Sequence, residues 1–152
     1  MDADVISDSN DAADLERLRN KKLIYRGSKL CMTSDLGVHG NLFGGKMMSL
    51  IDENAGIFVC EICDTPRMVT KKIEEVVFDR PVKVGSIMKI YCGIEKIGST
   101  SITIRVEVRN YNVYTEKEYK VCSTRLVFVR IDEEGNAIPI ADRIKIKFGL
   151  KD

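Results

Sequence analysis

Between His39 and Gly56 the chain combines a polar loop, paired glycines and an acidic residue, which together could carry out chemistry. Gly44 and Gly45 directly precede a segment with helical periodicity. The first turn of a helix has backbone N–H groups without intrahelical partners, and these lie at the positive end of the helix dipole. Because glycine lets a ligand approach the backbone, this place could hold an anion, or an oxygen that becomes negative in a transition state.

Asp52 follows these glycines by roughly two helical turns. A carboxylate in mostly apolar surroundings is costly to remove from water unless it is hydrogen-bonded. One interpretation makes Asp52 a general base or a nucleophile beside the helix start. The other interpretation places it with Glu53 and Asn54 on a solvated stripe of the helix, and the spacing alone leaves both open.

Other catalytic patterns in the chain are weaker. His39 is the only histidine, and we expect it to shape the loop rather than act as the base of a Ser-His-Asp or Cys-His site. Cys60 and Cys63 have the spacing of a zinc or redox half-site, but no second pair lies nearby in the sequence, so we expect packed thiols. The glycine pair does not match the spacing of nucleotide-binding loops. The sequence therefore predicts no metal and no cofactor.

The elements that must position these residues can also be predicted. Helical periodicity extends from Lys46 to about Ile62, and nearly all sides of this segment are apolar or small, which is typical of a buried helix. After Pro66 the chain is rich in β-branched and aromatic residues, which indicates strands. The predicted strands span 67–78, 86–97, 100–111 and 120–131, with a shorter strand at 29–33 and a tight hairpin at 97–100.

An early buried helix followed by an antiparallel meander predicts an α+β domain, with a curved antiparallel sheet wrapped around one long central helix. Residues 1–22 contain few apolar side chains and predict a disordered tail, although 14–22 could form a short helical turn. Residues 23–152 are expected to form one domain that ends in a basic tail at 143–148. Because long edge strands are usually covered or paired, we expect edge-to-edge dimerisation.

Composition narrows the possible partners and location. The 152 residues are 44% hydrophobic and 31% charged, with a net charge of +1, so nothing attracts the chain generally to nucleic acid or to an anionic membrane. No apolar run approaches the ~18 residues that span a bilayer, and the acidic start does not resemble a secretory signal. Five cysteines, an odd number, favour reduced thiols over a disulfide framework. A cytoplasmic location is therefore expected.

The same residues carry a resemblance to a known family. The run His39-Gly40-Asn41-x-x-Gly44-Gly45, followed by Met48, Asp52 and Ala55-Gly56, is similar to the signature of hotdog-fold acyl-CoA thioesterases, in the branch of the YciA-type and brain-type cytosolic enzymes. Further matches follow in the expected order over about residues 29–140: Val69-Thr70, Val77-Phe78-x-Arg80-Pro81-Val82-x-Val84-Gly85, Gly98-Ser99-Thr100-Ser101, and Glu133-Glu134-Gly135-x-x-x-Pro139.

The resemblance implies a hotdog fold and specific roles at the helix start. Asp52 occupies the position of the catalytic carboxylate, which would activate water or attack the thioester itself. The backbone N–H of Gly45, with that of Gly44, would hold the developing oxyanion. Asn41 corresponds to a loop position that helps to place water or the thioester.

The resemblance also implies that the active site lies between subunits. Thr70 and the turn formed by Ser99, Thr100 and Ser101 would then come from the partner chain and contact thioester or pantetheine. Relatives favour assemblies of dimers, which here means a dimer, a trimer of dimers or a dimer of dimers.

Cations are the expected contacts for the coenzyme A phosphates. The candidates are Arg80, Lys83, Arg143 and Lys145. The chain departs from the family pattern at Asp79, which precedes the Arg-Pro pair, at Lys46, and in the charged run 71–75 of the first long strand.

These observations lead to one function and one alternative from another class. The leading hypothesis is an acyl-CoA thioesterase that hydrolyses its substrate to a free acid and coenzyme A without a metal. The alternative is a non-catalytic hotdog module that binds acyl-CoA. A dehydratase on the same scaffold would need a histidine within the helix, and the predicted helix contains none.

Overall fold

The computed structural model describes residues 7–148, which form a five-stranded antiparallel sheet and three α-helices. The elements in chain order are α1 (Ser7–Arg19), β1 (Ile24–Leu30), a short 3-10 turn (Thr33–Asp35), α2 (Gly44–Cys63), β2 (Met68–Phe78), β3 (Ile87–Ile97), β4 (Ser101–Tyr111), β5 (Glu118–Arg130) and α3 (Asp142–Lys147). Within residues 7–148, no helix is both long enough and apolar enough to cross a bilayer.

The sheet has the strand order β1-β3-β4-β5-β2, so that β1 and β2 are its two edges. Each pair of neighbours is antiparallel, and β3, β4 and β5 are joined in sequence as a meander. In β4 the buried residues Ile102, Ile104, Val106 and Val108 alternate with half-buried or exposed polar residues, because successive side chains point to opposite faces. The inner face of the sheet therefore meets the helix, and the predicted α+β architecture is confirmed.

The central helix α2 packs against this inner face through one apolar stripe. Residues at three- and four-residue steps are almost fully buried, namely Met47, Ile51, Ala55, Phe58 and Ile62. The Phe128 ring of the sheet lies over Gly56, where an added Cβ would make an ordinary contact at 3.9 Å. The opposite face is more open than the sequence predicts, with Glu53 exposed and Ile57 50% exposed.

The first strand differs from its predicted position. Residues 29–33 were expected to form it, but β1 spans Ile24–Leu30 and pairs with β3 from Ile24 opposite Cys92 to Leu30 opposite Ile87. Gly27 and Ser28 lie within this strand, and neither residue type favours strands. Pairing with β3 supplies their backbone hydrogen bonds, so tertiary context overrides the local propensity.

The two terminal segments contain helices where the structure describes them, whereas the sequence analysis expected a disordered tail at the first, apart from a possible helical turn at 14–22, and only a basic tail at the second. Ser7–Arg19 forms α1, in which Leu18 is buried and the guanidinium of Arg19 donates a 2.8 Å hydrogen bond to the carbonyl of Lys147. Asp142–Lys147 forms α3, and Ile144 is buried in the core. Each segment is too short and polar to fold alone, and each gains its order by packing against the rest of the domain. Residues 1–6 of the predicted tail lie outside the described residues.

We expect Leu18→Ala to lower the free energy of unfolding by about 2–3 kcal/mol, because it removes a buried side chain and leaves a cavity. Denaturant unfolding followed by circular dichroism would measure this change. Leu30→Ala is the matched control, since Leu30 is 49% exposed. Equal, small effects of the two substitutions would mean that α1 is not packed on the domain.

Candidate active site

At the start of α2, two backbone donors have no hydrogen-bond partner in the part of the chain that the structure describes. The N–H of Phe43 donates to the carbonyl of Asp35 at 2.9 Å, and the carbonyl of Phe43 accepts from the N–H groups of Lys46 and Met47 at 2.9 and 3.2 Å. Gly44 and Gly45 lie between Phe43 and Lys46 in the chain, and their N–H groups have no acceptor among residues 7–148. They lie at the positive end of a 20-residue helix and are suited to an oxygen that carries negative charge.

The ring of Phe43 explains why residue 45 is glycine. A Cβ added to Gly45 would lie 2.7 Å from Cε1 of Phe43, which is too close for any real contact. A Cβ on Gly44 would approach the Phe78 ring at 3.7 Å. The two aromatic rings therefore border this side of the helix, and the glycines add no further side chain beside the free amides.

A buried carboxylate holds the loop in front of the helix. One oxygen of Asp35 accepts hydrogen bonds from Nζ of Lys29 at 2.7 Å and from the N–H of Met32 at 2.9 Å. The hydrogen bond from Lys29 and that from Met32 keep the pKa of Asp35 below its usual value. Because the carbonyl of the same residue accepts from Phe43, Asp35 positions the helix start. Sequence reasoning missed this residue, whose only local signal was an acid within the polar loop.

Asp52 is half-buried and accepts a 2.7 Å hydrogen bond from the hydroxyl of Thr70. Its neighbours behave differently, since Glu53 is exposed and the Asn54 amide donates to the carbonyl of Leu50 in the same helix. Asp52 therefore does not belong to a solvated stripe with them. Seven residues correspond to about two turns and 10.5 Å of helix, which puts Asp52 on the same helix face as Gly45.

Thr70 contacts Asp52 within the same chain, whereas the family resemblance implied that a partner chain would supply Thr70. The register of β2 against β5 shifts directly after Thr70, between the pairs Thr70–Phe128 and Lys72–Val127. A bulge of this kind adds an unpaired residue and increases the local twist, which can redirect a side chain. The hydroxyl of Thr70 is thereby held against α2, at the edge of the sheet.

A groove of about 340 Å³ beside the helix start is lined by Asn41, Gly44 and Arg80, three of the residues that the sequence analysis singled out. The Asn41 side-chain carbonyl accepts a hydrogen bond from Nζ of Lys83, so this lysine also lies next to the groove. The guanidinium carbon of Arg80 lies 4.7 Å from the centre of the Tyr119 ring. Two of the predicted phosphate-binding cations therefore flank the start of α2.

The remaining predicted contacts lie elsewhere in the chain. The carbonyls of Ser99 and Thr100 accept from the N–H groups of Ile140 and Arg130, and the carbonyl of Ser101 accepts from Gly98. None of the hydrogen bonds within residues 7–148 joins this turn to Asp52.

Arg143 is also distant from the helix start. Its guanidinium forms a 2.7 Å ion pair with Asp64, the residue that ends α2. An ideal helix of this length separates its ends by about 30 Å. Arg143 therefore does not reach the start of α2 within one chain, and its contact with a phosphate stays a prediction.

The cysteines do not form a second reactive centre among the described residues. All five are free thiols, and burial raises the pKa of Cys63 to about 11 and raises that of Cys60 as well. A raised pKa keeps a cysteine in its unreactive thiol form at neutral pH. The prediction that Cys60 and Cys63 are packed thiols agrees with this geometry.

Comparisons with known proteins identify the class to which this fold and helix start belong. The structure superimposes on an aspartate-to-alanine variant of HI0827, a hexameric broad-specificity acyl-coenzyme A thioesterase, with a TM-score of 0.76 and 30% sequence identity. The superposition includes 84% of this chain and 94% of that one. A hexameric hotdog-fold thioesterase of Campylobacter jejuni, Cj0915, gives a TM-score of 0.73 at 31% identity, over 82% and 96% of the two chains. The fold is therefore the hotdog fold.

The sequence comparisons then identify the family. The sequence profile of the thioesterase superfamily matches residues 39–117. The acyl-CoA thioester hydrolase YciA of Salmonella typhimurium is 35% identical over 114 residues, which are 73% of this chain and 85% of that protein. YciA of Escherichia coli K12 is 34% identical over 73% and 87% of the two chains. This chain belongs to the thioesterase superfamily.

Asp35 should make the stability of the domain depend on pH. A lowered pKa in the folded state means that its carboxylate stabilises the fold above about pH 4, and that this contribution is lost as the pH falls through the folded-state value. The urea midpoint of Asp35→Asn should therefore lie below that of the wild type at neutral pH, and the difference should shrink in acid. Glu53→Gln, at an exposed position of α2, should show neither effect. A difference that is constant with pH would contradict the assignment.

Proposed function

We propose that this protein is an acyl-CoA thioesterase, which hydrolyses the thioester bond of its substrate to a free carboxylic acid and coenzyme A. One observation carries the proposal: a half-buried carboxylate, Asp52, follows two unpartnered glycine amides by about two turns on one face of α2. The similar proteins named as acyl-CoA thioester hydrolases support this substrate class.

In the proposed reaction the thioester carbonyl oxygen binds at the helix start. The N–H of Gly45, together with that of Gly44, donates to this oxygen and stabilises the negative charge that develops when the carbonyl carbon is attacked. One such donor contributes about 3 kcal/mol to a transition state of this type. The groove beside Asn41 and Arg80 would accommodate the coenzyme A portion, with Arg80 and Lys83 near its phosphates.

Asp52 is proposed to act through a water molecule. Along an ideal helix, residues 45 and 52 are about 10.5 Å apart. Side chains tilt toward the helix start, so the carboxylate of Asp52 lies closer than this to the amide of Gly45. That gap suits a carbonyl group and a water better than direct attack, which requires the carboxylate within about 3–3.5 Å of the carbonyl carbon. Thr70 holds Oδ1 of Asp52, which leaves Oδ2 to accept the proton of the water.

The proton balance of the step follows from this arrangement. The water oxygen forms a bond to the carbonyl carbon while Asp52 takes its proton. The tetrahedral intermediate then collapses, the carbon–sulfur bond breaks, and Asp52 returns the proton to the sulfur of the leaving group. The products are the free acid and the thiol of coenzyme A. The proposed step uses no metal and no cofactor, and this remains an expectation from the sequence.

Self-association and location are also part of the proposal. Two solved relatives are described as hexameric, and we propose that this chain likewise assembles from dimers, as a trimer of dimers. The turn Ser99-Thr100-Ser101 would contact the substrate from a partner chain, since it does not reach Asp52 within one chain. The free thiols of the cysteines fit a reducing, cytoplasmic location.

Replacing Asp52 tests the assigned chemistry. We expect Asp52→Asn to lower kcat by at least about a hundredfold, because the amide can no longer accept the proton of the attacking water. Release of the coenzyme A thiol from several acyl-CoA chain lengths would measure turnover. Glu53→Gln, at the next and exposed position, should keep wild-type turnover. Wild-type turnover by Asp52→Asn would contradict the role, and binding of acyl-CoA to the wild type without thiol release would support the alternative binding module.

Thr70 tests how Asp52 is held. Thr70→Val preserves the shape of the side chain but removes the hydroxyl. We therefore expect kcat to fall about tenfold, which corresponds to the free energy of one hydrogen bond to a charged group. Thr70→Ser retains the hydroxyl and should restore most of the activity, and KM should change little in both variants. If Thr70→Ser and Thr70→Val are equally impaired, packing rather than the hydrogen bond explains the effect.

A further inference from the structure

Lys83 is bound to a residue of the candidate active site. Its ammonium donates a hydrogen bond to the side-chain carbonyl of Asn41, and the two residues are 42 positions apart in the chain. Among residues 7–148, Lys83 forms no ion pair with a carboxylate. The acidic residue nearest to it in the sequence, Asp79, is turned to another lysine, with Oδ2 lying 3.8 Å from Nζ of Lys120. The Lys83 ammonium is therefore available to Asn41.

The chemistry of the two groups determines the orientation of the Asn41 amide. An ammonium group can only donate, so the Asn41 atom that faces it must be the oxygen Oδ1 and not the nitrogen. The nitrogen Nδ2 and its two N–H groups then point away from Lys83. Within residues 7–148 no acceptor binds Nδ2, and the side chain of Asn41 lines the groove of about 340 Å³. Asn41 therefore offers hydrogen-bond donors to a molecule bound in this groove.

The backbone next to this contact is held in place. The N–H of Leu42, the residue after Asn41, donates at 2.8 Å to the carbonyl of Val82, the residue before Lys83. The turn that carries Lys83 is closed by the N–H of Ser86, which donates to the Lys83 carbonyl at 3.1 Å. The hydrogen bond from the ammonium then restricts the remaining rotation of the Asn41 side chain, which lowers the entropy that binding a substrate would cost.

A cation on the carbonyl oxygen also makes the amide a better donor. Hydrogen bonds in a chain polarise one another, and bonds from a charged donor are the stronger ones. Asn41 and Gly44 line the same groove beside the start of α2. The Asn41 amide therefore borders the place where the thioester carbonyl is proposed to bind, and Lys83 both orients and polarises it.

We propose that Lys83 is a positioning residue, which orients the Asn41 amide so that Nδ2 donates a hydrogen bond to the carbonyl oxygen of the thioester. This inference rests on the proposed substrate class. It gives Lys83 a task at the thioester besides its position near the phosphates of coenzyme A. It also distinguishes between two tasks of Asn41, because a donor can hold the thioester oxygen, whereas an acceptor would orient the attacking water.

Replacing Lys83 tests the proposal. Lys83→Met keeps an unbranched side chain but removes the donor, so we expect kcat/KM for an acyl-CoA to fall about tenfold. Lys83→Arg retains a charged donor and should keep most of the activity. Lys117→Met is the matched control, at an exposed position between β4 and β5. Release of the thiol would measure turnover, circular dichroism would confirm folding, and wild-type activity of Lys83→Met would overturn the proposal.

A substrate without phosphates separates the two tasks of Lys83. S-acyl pantetheine carries the same thioester as acyl-CoA but lacks the nucleotide and its phosphates. If Lys83 acts through Asn41, Lys83→Met should lose the same factor in kcat/KM on both substrates. A loss that is confined to acyl-CoA would mean that Lys83 contacts a phosphate, and the positioning role would be wrong.

Variants of Asn41 test whether its amide is a donor. Asn41→Asp keeps an acceptor for Lys83 but has no N–H group, so it should lose as much activity as Asn41→Ala, roughly a hundredfold. When Asn41 is already alanine, Lys83→Met should have no further effect, because the amide that it orients is absent. Wild-type activity of Asn41→Asp, or multiplying effects of the two substitutions, would contradict the proposed contact.

A binding measurement tests the same contact without hydrolysis. The probe is a ketone analogue of acyl-CoA, in which CH2 replaces the thioester sulfur, and the reference is an alkyl analogue of equal length without the carbonyl. By calorimetry, we expect Lys83→Met to weaken binding of the ketone about threefold and to leave binding of the alkyl analogue unchanged.

The binding measurement also separates this inference from the proposed hydrolysis. A ketone that the wild type does not bind, or binds with an affinity that does not depend on Lys83, would overturn the inference. If the ketone affinity depends on Lys83 and Asn41 while no sample releases thiol, only the proposed hydrolysis fails. If both thiol release and ketone affinity depend on these residues, both proposals are supported.

Discussion

The structure depends on how the backbone is hydrogen-bonded at the beginning of α2. Asp35 accepts the Phe43 N–H through its carbonyl while its carboxylate is held by Lys29 and the Met32 amide, so the loop enters the helix in one conformation. The carbonyl of Phe43 then accepts from the third and fourth amides of the helix, and among residues 7–148 the two glycine amides before them have no acceptor. Unpaired donors at the positive end of a long helix are stabilised when an electronegative atom binds there. The groove lies beside this helix start, and the edge strand β2 contacts the same helix through Thr70 and Asp52.

The two ends of α2 have different surroundings and different tasks. At the beginning, glycines keep the backbone accessible and a groove of about 340 Å³ lies alongside. At the other end, Asp64 adopts a left-handed conformation that ends the helix and pairs with Arg143, and the segments α1 and α3 pack nearby through Leu18 and Ile144. Burial at that end raises the pKa of Cys63 and leaves its thiol unreactive. One helix thus has an open end with accessible backbone amides and a closed end that packs in the core.

Asp52 links this helix to the edge of the sheet. A half-buried carboxylate needs a hydrogen-bond donor, and the donor is Thr70 on β2, an edge strand of the sheet. The bulge directly after Thr70 gives its side chain a direction that regular strand geometry would not ensure. The candidate site therefore lies where the central helix meets the edge of the sheet.

The sequence by itself determined the features that follow from local patterns. Apolar periodicity identified α2 and the four long strands to within a few residues, and the glycine pair followed by Asp52 identified the candidate site. Only the tertiary structure showed that Thr70 holds Asp52 in the same chain, that Asp35 positions the helix start, and that Arg143 pairs with Asp64 instead of reaching the groove. Contacts between residues far apart in the chain leave no periodic signal. The same reason explains the terminal helices and β1, since weak local propensity becomes helix or strand only when burial and strand pairing across the domain stabilise it.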